Sequence, residues 1–388
     1  MKNQFLTLGL GLLVAFACTS KEEAEIEKQL SEQSFEFEIY DSLVVDYLGN
    51  LVLVDISPNR NNFLFIDQAT DTIFVTNQAG TILHRFLATG EGPQKIEGNR
   101  SGIAKFLTDE TLIIPGNRAV YNFSLGGELQ KTYSPDFPGM AQMIIPFNET
   151  HFVSGNKGYF YMPGRYSELG NQGIEYQKKS KQLEVLDFST GQFESVLPFP
   201  QESKFSSSKD EFGSLDFYPN YYLKEDSLLV TFRNEPKIFT YLLDKLDTPI
   251  AVKTIPFPLF IERDADQKPA IGGFNVRDFF LGTINKVIPT ENQFFLVDYL
   301  SGLGEVDVKE ITDLASADFD KMFEEGFKRN TAGMVLFDGK DISTPIVKPE
   351  ILGQLSKYIS LKEIWFSPDY AEVEKDYVVI YKTRLISK

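Results

Sequence analysis

Apolar and polar residues alternate over much of this chain, and a period of two residues predicts β-strands. Residues 35–39, FEFEI, alternate as a strand with one buried face should. Residues 51–54 and 62–66 are short apolar runs bounded by Gly, Asn, Pro and Asp, which is typical of buried strands. The 34 Phe and 17 Tyr favour strands, and 28 Gly with 19 Pro supply turns. The pattern therefore predicts an all-β protein.

A recurrent unit of strand, turn and strand indicates a repeat architecture. Its copies lie at residues 73–83, 119–131 and 183–196, with weaker copies that begin near Ile238 and Met334. Hairpins at irregular intervals fit a β-propeller whose blades carry loops of unequal length. The strand at 35–39 is expected to pair with one at 377–381, which closes the ring and removes two exposed edges. We predict a single domain over 34–388, a six-bladed propeller of four-stranded antiparallel blades.

One segment has a helical period instead. Between residues 307 and 328 the apolar positions recur at helical spacing with acidic residues opposite, which predicts one inserted amphipathic helix. A helix packed on the rim of the propeller is the first interpretation. A helix that docks a partner protein is the alternative.

The N-terminus has the pattern of an export signal. A positive start and an apolar run too short to span a bilayer predict a signal peptide over 1–17, with Ala15-Phe16-Ala17 as its A-x-A cleavage site. Cys18, the only cysteine, follows directly. This placement resembles the lipobox of bacterial lipoproteins, although Ala15 and Phe16 stand where the usual pattern has Leu and a small residue. The resemblance implies that Cys18 carries the lipid anchor.

Residues 18–33 are predicted to form an acidic tether after the anchor. Lys21-Glu22-Glu23 is similar to the surface-export signal of Bacteroidota lipoproteins, which implies display on the outer face of the outer membrane. A plain solvated tether is the alternative for this segment. Cleavage after Ala17 without lipidation, leaving a soluble periplasmic protein, is the alternative for the anchor.

The run from Ser42 to Lys95 adds a family resemblance. It contains residues 43–46, LVVD, then residues 62–67, NFLFID, and ends in the Gly-Glu-Gly-Pro turn at 90–93. This first third of the chain resembles the uncharacterised six-bladed propeller lipoproteins of Bacteroidota, of TolB-like architecture. The resemblance implies the fold and the location. That family has no agreed activity, so it implies no chemistry.

Composition excludes several classes of function. A formal net charge of −17 and the lack of a long basic run argue against nucleic acid as a partner. Two His and one Cys leave no material for a zinc site or a disulfide framework. His84 is expected to be half-buried and structural, and a site that joins it to His151 requires the fold to bring them together. We predict no catalytic set, no metal site and no cofactor.

Two aromatic runs are the best candidates for ligand contact. Residues 159–166 and 217–222 are rich in Tyr and Phe and run into loops. Rings beside an Arg in such loops suit stacking on a sugar or capture of an acidic group. The candidate ligand-binding residues are Tyr161, Arg165, Tyr166 and Tyr218. The alternative is that these aromatics simply pack one blade on the next.

These observations favour a non-enzymatic binding module, attached to the cell envelope through its lipid anchor and directed at a glycan or a protein. The first alternative is a hydrolase or lyase on the same fold, with carboxylates and Tyr or Arg at the mouth of the channel. The second is a structural subunit of an outer-membrane complex, which an exposed apolar patch beside the inserted helix would favour.

Overall fold

Six antiparallel β-sheets follow one another along the chain in the arrangement of a six-bladed propeller. The computed structural model describes residues 30–141, 144–145, 148–207, 209–264, 276–315, 318–370 and 376–388. Within these residues five sheets have four strands and one has three. The predicted all-β class and the six blades are therefore confirmed.

The chain begins with the strand β1 (Phe35–Val45), which belongs to the last blade. Blade 1 consists of β2 (Leu51–Ile56), β3 (Asn62–Asp67), β4 (Thr72–Asn77) and β5 (Ile82–Leu87). Blade 2 consists of β6 (Lys105–Phe106), β7 (Thr111–Pro115), β8 (Val120–Ser124) and β9 (Leu129–Tyr133). Blade 3 consists of β10 (His151–Ser154), β11 (Lys157–Phe160), β12 (Lys181–Asp187) and β13 (Phe193–Pro198).

The second half of the ring has the same plan. Blade 4 consists of β14 (Pro219–Lys224), β15 (Ser227–Phe232), β16 (Glu235–Leu242) and β17 (Ala251–Thr254). Blade 5 consists of β18 (Thr283–Pro289), β19 (Phe295–Leu300) and β20 (Ala332–Phe337). Blade 6 consists of β21 (Leu352–Ser360), β22 (Glu363–Pro368), β23 (Val378–Ser387) and β1.

Short helical segments occupy the connections. The α-helices are α1 (Ile174–Lys179), α2 (Glu305–Ala315) and α3 (Phe319–Arg329). Segments of 3-10 helix lie at Leu30–Glu32, Pro163–Leu169, Lys204–Ser206 and Val276–Phe279. Among the residues that the structure describes, no helix is long and apolar enough to cross a bilayer.

The ring closes through pairing of the two ends of the chain, as predicted. Strand β1 runs antiparallel to β23, from Phe35 opposite Ser387 to Val45 opposite Val378. Because the outermost strand of blade 6 comes from the N-terminus, every blade is held between two covalently connected neighbours. Leu30, just before this strand, is already buried in the adjoining core.

Blade 5 has three regular strands and an irregular fourth edge. After β20 the chain runs back along this strand over 342–346, where Ser343 N donates to Leu336 O and Ile346 N donates to Met334 O, each at 2.8 Å. It then reaches blade 6, where the backbone N–H of Val347 donates to Phe35 O and Val347 O accepts from Phe37 N, each at 2.9 Å. The backbone groups of this segment are thus used to cover the outer edge of β1.

The segment predicted as one helix is a pair, α2 and α3, inserted between β19 and β20. The division has a local cause, because the Asp318 side chain caps α3 by accepting from Lys321 N at 3.2 Å. The pair packs against Phe280 through Ile311, Met322 and Gly326. At Gly326 a Cβ atom would fall 2.1 Å from the Phe280 ring, so only glycine permits this approach.

Aromatic side chains fill the spaces between blades. Between blades 3 and 4, the rings of Phe199, Phe205, Phe217 and Phe232 have centroids 5.3–5.9 Å apart. Large rings suit this position because sheets in a propeller diverge outward and leave wedge-shaped gaps. Much of the high aromatic content therefore serves packing.

Candidate functional site

The four predicted ligand-binding residues lie close to one another beside blade 3. The rings of Tyr161 and Tyr218 are buried edge to face, with centroids 5.5 Å apart. Arg165 forms a two-pronged ion pair with Glu184, with N–O distances of 2.7 and 2.9 Å, and the Tyr166 hydroxyl lies 2.9 Å from Ser195 Oγ. Their contacts are those expected of packing. Ligand binding by these residues stays a prediction, and Cys18 lies outside the described residues.

The two histidines lie in different blades. His84 is exposed on the outer strand β5, not half-buried as expected. His151 is 2% exposed at the start of the inner strand β10 and stacks on Phe160 at a centroid distance of 5.7 Å. Burial and the Lys105 ammonium lower the pKa of His151 well below its usual value, and Glu149 opposes them only in part. The described residues contain no group of three or more His, Cys, Asp or Glu suited to a metal.

The central channel holds a cavity of about 280 Å³. It is lined from blades 2 to 6, chiefly by residues of their first strands, and the first strands of several neighbouring blades contact each other. A space of this size lies just below the range of about 300–1,000 Å³ that is typical of small-molecule sites. The cavity is therefore suited to a small ligand.

One polar contact crosses each of the six junctions between neighbouring blades around this channel. We call the side chains that make these contacts the channel ring. Each comes from the first strand of a different blade or from just before it. They are Asp55, Lys105, Glu149, Asn220, Lys286 and Lys357.

Asp55 connects blade 1 to both of its neighbours. Lys357 Nζ of blade 6 donates to Asp55 Oδ1 at 2.6 Å, and the backbone N–H of Phe106 in blade 2 donates to Oδ2 at 2.9 Å. The Asp55 side chain is buried, so both oxygens are satisfied by protein groups alone.

The contacts continue through blades 2 to 5. Lys105 forms an ion pair with Glu149 and donates to the carbonyl oxygen of His151 at 2.9 Å. The Glu149 backbone N–H donates to Asn220 Oδ1 at 2.8 Å, and Asn220 Nδ2 donates to the carbonyl oxygen of Asn285 at 3.2 Å.

Lys286 of blade 5 completes the ring and carries its unbalanced charge. Its Nζ donates to the carbonyl oxygen of Leu355 in blade 6 at 2.8 Å. No carboxylate of the described residues lies within 4 Å of this ammonium, whereas Lys105 and Lys357 each have one. Within the channel ring, three ammonium groups and two carboxylates leave one positive charge in excess, and outside the ring Asp298 of β19 also attracts Lys286. A buried charge of this kind is costly unless something compensates it.

The pKa values in the channel follow from burial and from these neighbours. Burial favours the neutral form of Glu149, but the ammonium groups of Lys105, Lys286 and Lys357 outweigh it and hold the pKa of that carboxyl far below its usual range. Burial lowers the pKa of Lys286, and the two other lysines add to this against the pull of Glu149 and Asp298. Lys286 is thus the group whose charged form an incoming anion would stabilise most.

Two tyrosines frame the cavity beside these charges. The hydroxyl of Tyr358 donates to Glu291, and burial is the main reason that the pKa values of Tyr222 and Tyr358 are raised. Both rings line the same space as Lys286. The arrangement combines apolar surface with an ammonium group that has no carboxylate within 4 Å among the described residues, which suits a small organic anion.

Sequence reasoning missed this site because its members are far apart in the chain. A signal was present: a charged residue interrupts an apolar first strand, as in residues 51–56, LVLVDI, and residues 283–288, TINKVI. Such interruptions mark positions that face a polar channel. Only the closed ring brings them together.

The fold has the architecture of the six-bladed propellers, and solved structures agree. The chain is similar to a member of the DUF4221 family from Bacteroides vulgatus, with a TM-score of 0.58, 10% identity and coverage of 93% of this chain and 100% of that one. It also matches a Bacteroides fragilis protein described as exported, with a TM-score of 0.48, 12% identity and coverage of 92% and 96%. The predicted resemblance to six-bladed propellers of Bacteroidota is confirmed at the level of the fold.

The sequence matches no protein-family model and no curated protein. The chemistry of the site therefore has to be argued from its own residues.

Proposed function

We propose that this chain is an exported, lipid-anchored propeller of the cell envelope that binds a small anionic ligand in its central channel. The observation that carries the proposal is the Lys286 ammonium, which among the described residues has no carboxylate within 4 Å and lines a cavity of about 280 Å³. A carboxylate or phosphate there would balance the excess charge and accept the hydrogen bonds that a single carbonyl oxygen leaves unused. Export and anchoring rest on the signal peptide pattern and on Cys18.

A binding role is favoured over a carboxylate hydrolase by the state of the channel acids. A general acid near neutral pH needs a raised pKa. The pKa of Glu149 is lowered instead. The Asp55 carboxylate accepts hydrogen bonds from Lys357 Nζ and from the backbone N–H of Phe106. Glu149 therefore lacks the raised pKa of a general acid, and Asp55 has both oxygens engaged by protein donors.

Lys286→Met is expected to weaken anion binding by about 10- to 150-fold, because it removes a charge-assisted hydrogen bond of roughly 1.5–3 kcal/mol. Phosphate, sulfate, succinate and citrate serve as probes in isothermal titration at low salt. We expect the stability of this variant to be maintained or raised, because a costly buried charge is lost.

Lys224→Met is the matched control for this variant. Lys224 Nζ likewise donates to a backbone carbonyl, that of Thr290 at 2.9 Å, but Lys224 does not line the cavity. Anion binding that survives Lys286→Met, or that is lost equally in the control, contradicts the proposed site. Absence of binding of every probe to the wild-type protein contradicts the anionic ligand itself.

Cys18→Ala is expected to abolish attachment to the membrane. Two or three acyl chains on one cysteine give stable anchoring, and without the thiol none can be attached. Intact mass and external protease treatment of whole native cells, wild type beside variant, measure lipidation and surface display. An unlipidated wild-type chain that is cut after Ala17 and shielded from protease would overturn the anchor and leave the channel site to be judged separately.

A further inference from the structure

A second cavity, of about 530 Å³, lies between blades 5 and 6. It is separate in its chemistry from the channel cavity, because none of the channel-ring side chains lines it. Its volume falls within the range of about 300–1,000 Å³ that is typical of ligand sites. We call it the inter-blade cavity.

One part of the inter-blade cavity is formed by planar polar groups. Asn285 Nδ2 donates to Asp298 Oδ1 at 3.2 Å, and the Thr283 hydroxyl in turn donates to Asn285 Oδ1 at 3.2 Å. These bonds fix the Asn285 amide and hold the Asp298 carboxylate in one orientation. Gln68 and Gln354 add two further amides to the lining. Carboxylates and amides in fixed positions are suited to hydroxyl groups, which both donate and accept.

Another part of the cavity is an exposed aromatic ring supplied by the inserted helices. The helix α3 buries Met322 and Gly326 against Phe280, so the next residue, Phe327, lies off the packed face. The Phe327 side chain is 62% exposed and lines the cavity. A large exposed ring is costly in water, and covering it with an apolar face of a ligand is favourable.

The charges of the cavity set the class of ligand. Its ionisable groups include two carboxylates, Asp298 and Asp369, and one ammonium, Lys348. Burial raises the pKa of Asp298 and lowers that of Lys348. This mixture gives an anion no net attraction, and the polar groups disfavour a purely apolar ligand.

We infer that the inter-blade cavity binds a neutral sugar of one or two rings. The C–H face of the ring lies against Phe327, and its hydroxyl groups bond to the Asp298 carboxylate and the neighbouring amides. The inserted helix pair therefore has a role beyond packing, because it supplies the aromatic wall of this site. The inference is independent of anion binding in the channel.

Phe327→Ala is expected to weaken sugar binding by about tenfold or more, since it removes the stacking surface. The probes are glucose, galactose, mannose and N-acetylglucosamine with their 1,4-linked dimers, at millimolar concentrations, followed by saturation-transfer NMR on the whole chain. The substitution is at an exposed position, so the fold is expected to be retained. Phe319→Ala on the same helix, also exposed at 52% but outside the cavity, is the matched control.

Phe327→Ala also separates the two sites, because Phe327 does not line the channel cavity and the variant is expected to leave anion binding there unchanged. Sugar binding that falls in Phe327→Ala but not in Phe319→Ala supports the inference. Absence of saturation transfer to every sugar overturns it, as does a sugar that binds Phe327→Ala as well as wild type. Either negative result leaves the anion titrations of the channel unaffected.

Discussion

Asp55→Ala is expected to destabilise the folded propeller by about 3–5 kcal/mol, the usual cost of removing one partner of a buried ion pair. Without this carboxylate the Lys357 ammonium and the Phe106 N–H lose their partners inside the protein. Burial disfavours the charged form of Lys357, but Asp55 and Glu149 outweigh it and raise the pKa of Lys357. Because the contact closes the ring between blades 6, 1 and 2, its loss affects the whole domain. Urea unfolding followed by circular dichroism measures the change.

Three further variants test this explanation. Glu324→Ala removes a surface ion pair with Lys328 at 2.8 Å and is expected to change stability far less than Asp55→Ala, because water screens exposed charges. Asp55→Asn retains the shape and one acceptor, so its cost should be intermediate. Asp55→Leu combined with Lys357→Met should recover much of the loss, because no buried charge is left alone. A cost for Asp55→Ala no larger than that of Glu324→Ala would show that the channel ring is energetically unimportant.

The pH dependence of the Lys357 pair has a defined sign. A lysine whose pKa is raised on folding contributes stability that is fully present below its ordinary pKa of about 10.4 and is lost as pH rises through the folded value. Glu149 has the opposite sense, since its pKa is lowered and its contribution is lost only on strong acidification. The channel ring is therefore expected to be intact across the neutral range.

The second large effect is expected from His151, which makes folding sensitive to mild acid. Neither of its ring nitrogens has a hydrogen-bond partner within the described part of the chain, and burial lowers its pKa. The unfolded chain takes up a proton near pH 6.5 and the folded chain does not. Stability should fall by about 1.4 kcal/mol for each pH unit below about 6.5, until the lowered folded pKa is reached.

His151→Phe should remove this component, and the readout is the slope of unfolding free energy against pH between 7 and about 4.5. The slope is insensitive to a constant packing change, so a moderate loss of stability in the variant does not obscure it. His84→Phe is the control, because His84 is exposed and the chain has only these two histidines. Equal slopes in wild type and His151→Phe would contradict a buried neutral imidazole in the folded state.

The local pattern of the sequence was sufficient for most of the fold. Alternation identified the strand at residues 35–39, and turn residues identified the hairpins of blades 1 to 3. Pairing between the chain ends followed from the need to cover two edges. These features depend on near neighbours in the chain or on one general rule about sheet edges. They can therefore be predicted from the sequence alone.

Two details of the fold depended on competition between distant segments. The irregular fourth edge of blade 5 was not predicted, because Val347, directly after it, pairs with β1, which lies over 300 residues earlier. The division of the predicted helix into α2 and α3 depends on the Asp318 cap and on the approach of Gly326 to Phe280. The spacing of hydrophobic residues continues without a break across the boundary between α2 and α3, so by itself it predicts a single helix.

By itself the sequence determined the all-β class and the repeat, because these depend on contiguous residues, and it determined the closure of the ring through the general rule that sheet edges are covered. The lipid anchor at Cys18 stays a prediction. Only the tertiary structure decided where chemistry can take place. It placed Tyr161 and Tyr218 in the interior and brought Asp55, Lys286 and Lys357 together around one channel. The physical reason is that a propeller channel takes about one side chain from each blade. Its charge balance is therefore a property of the closed ring and of no single segment.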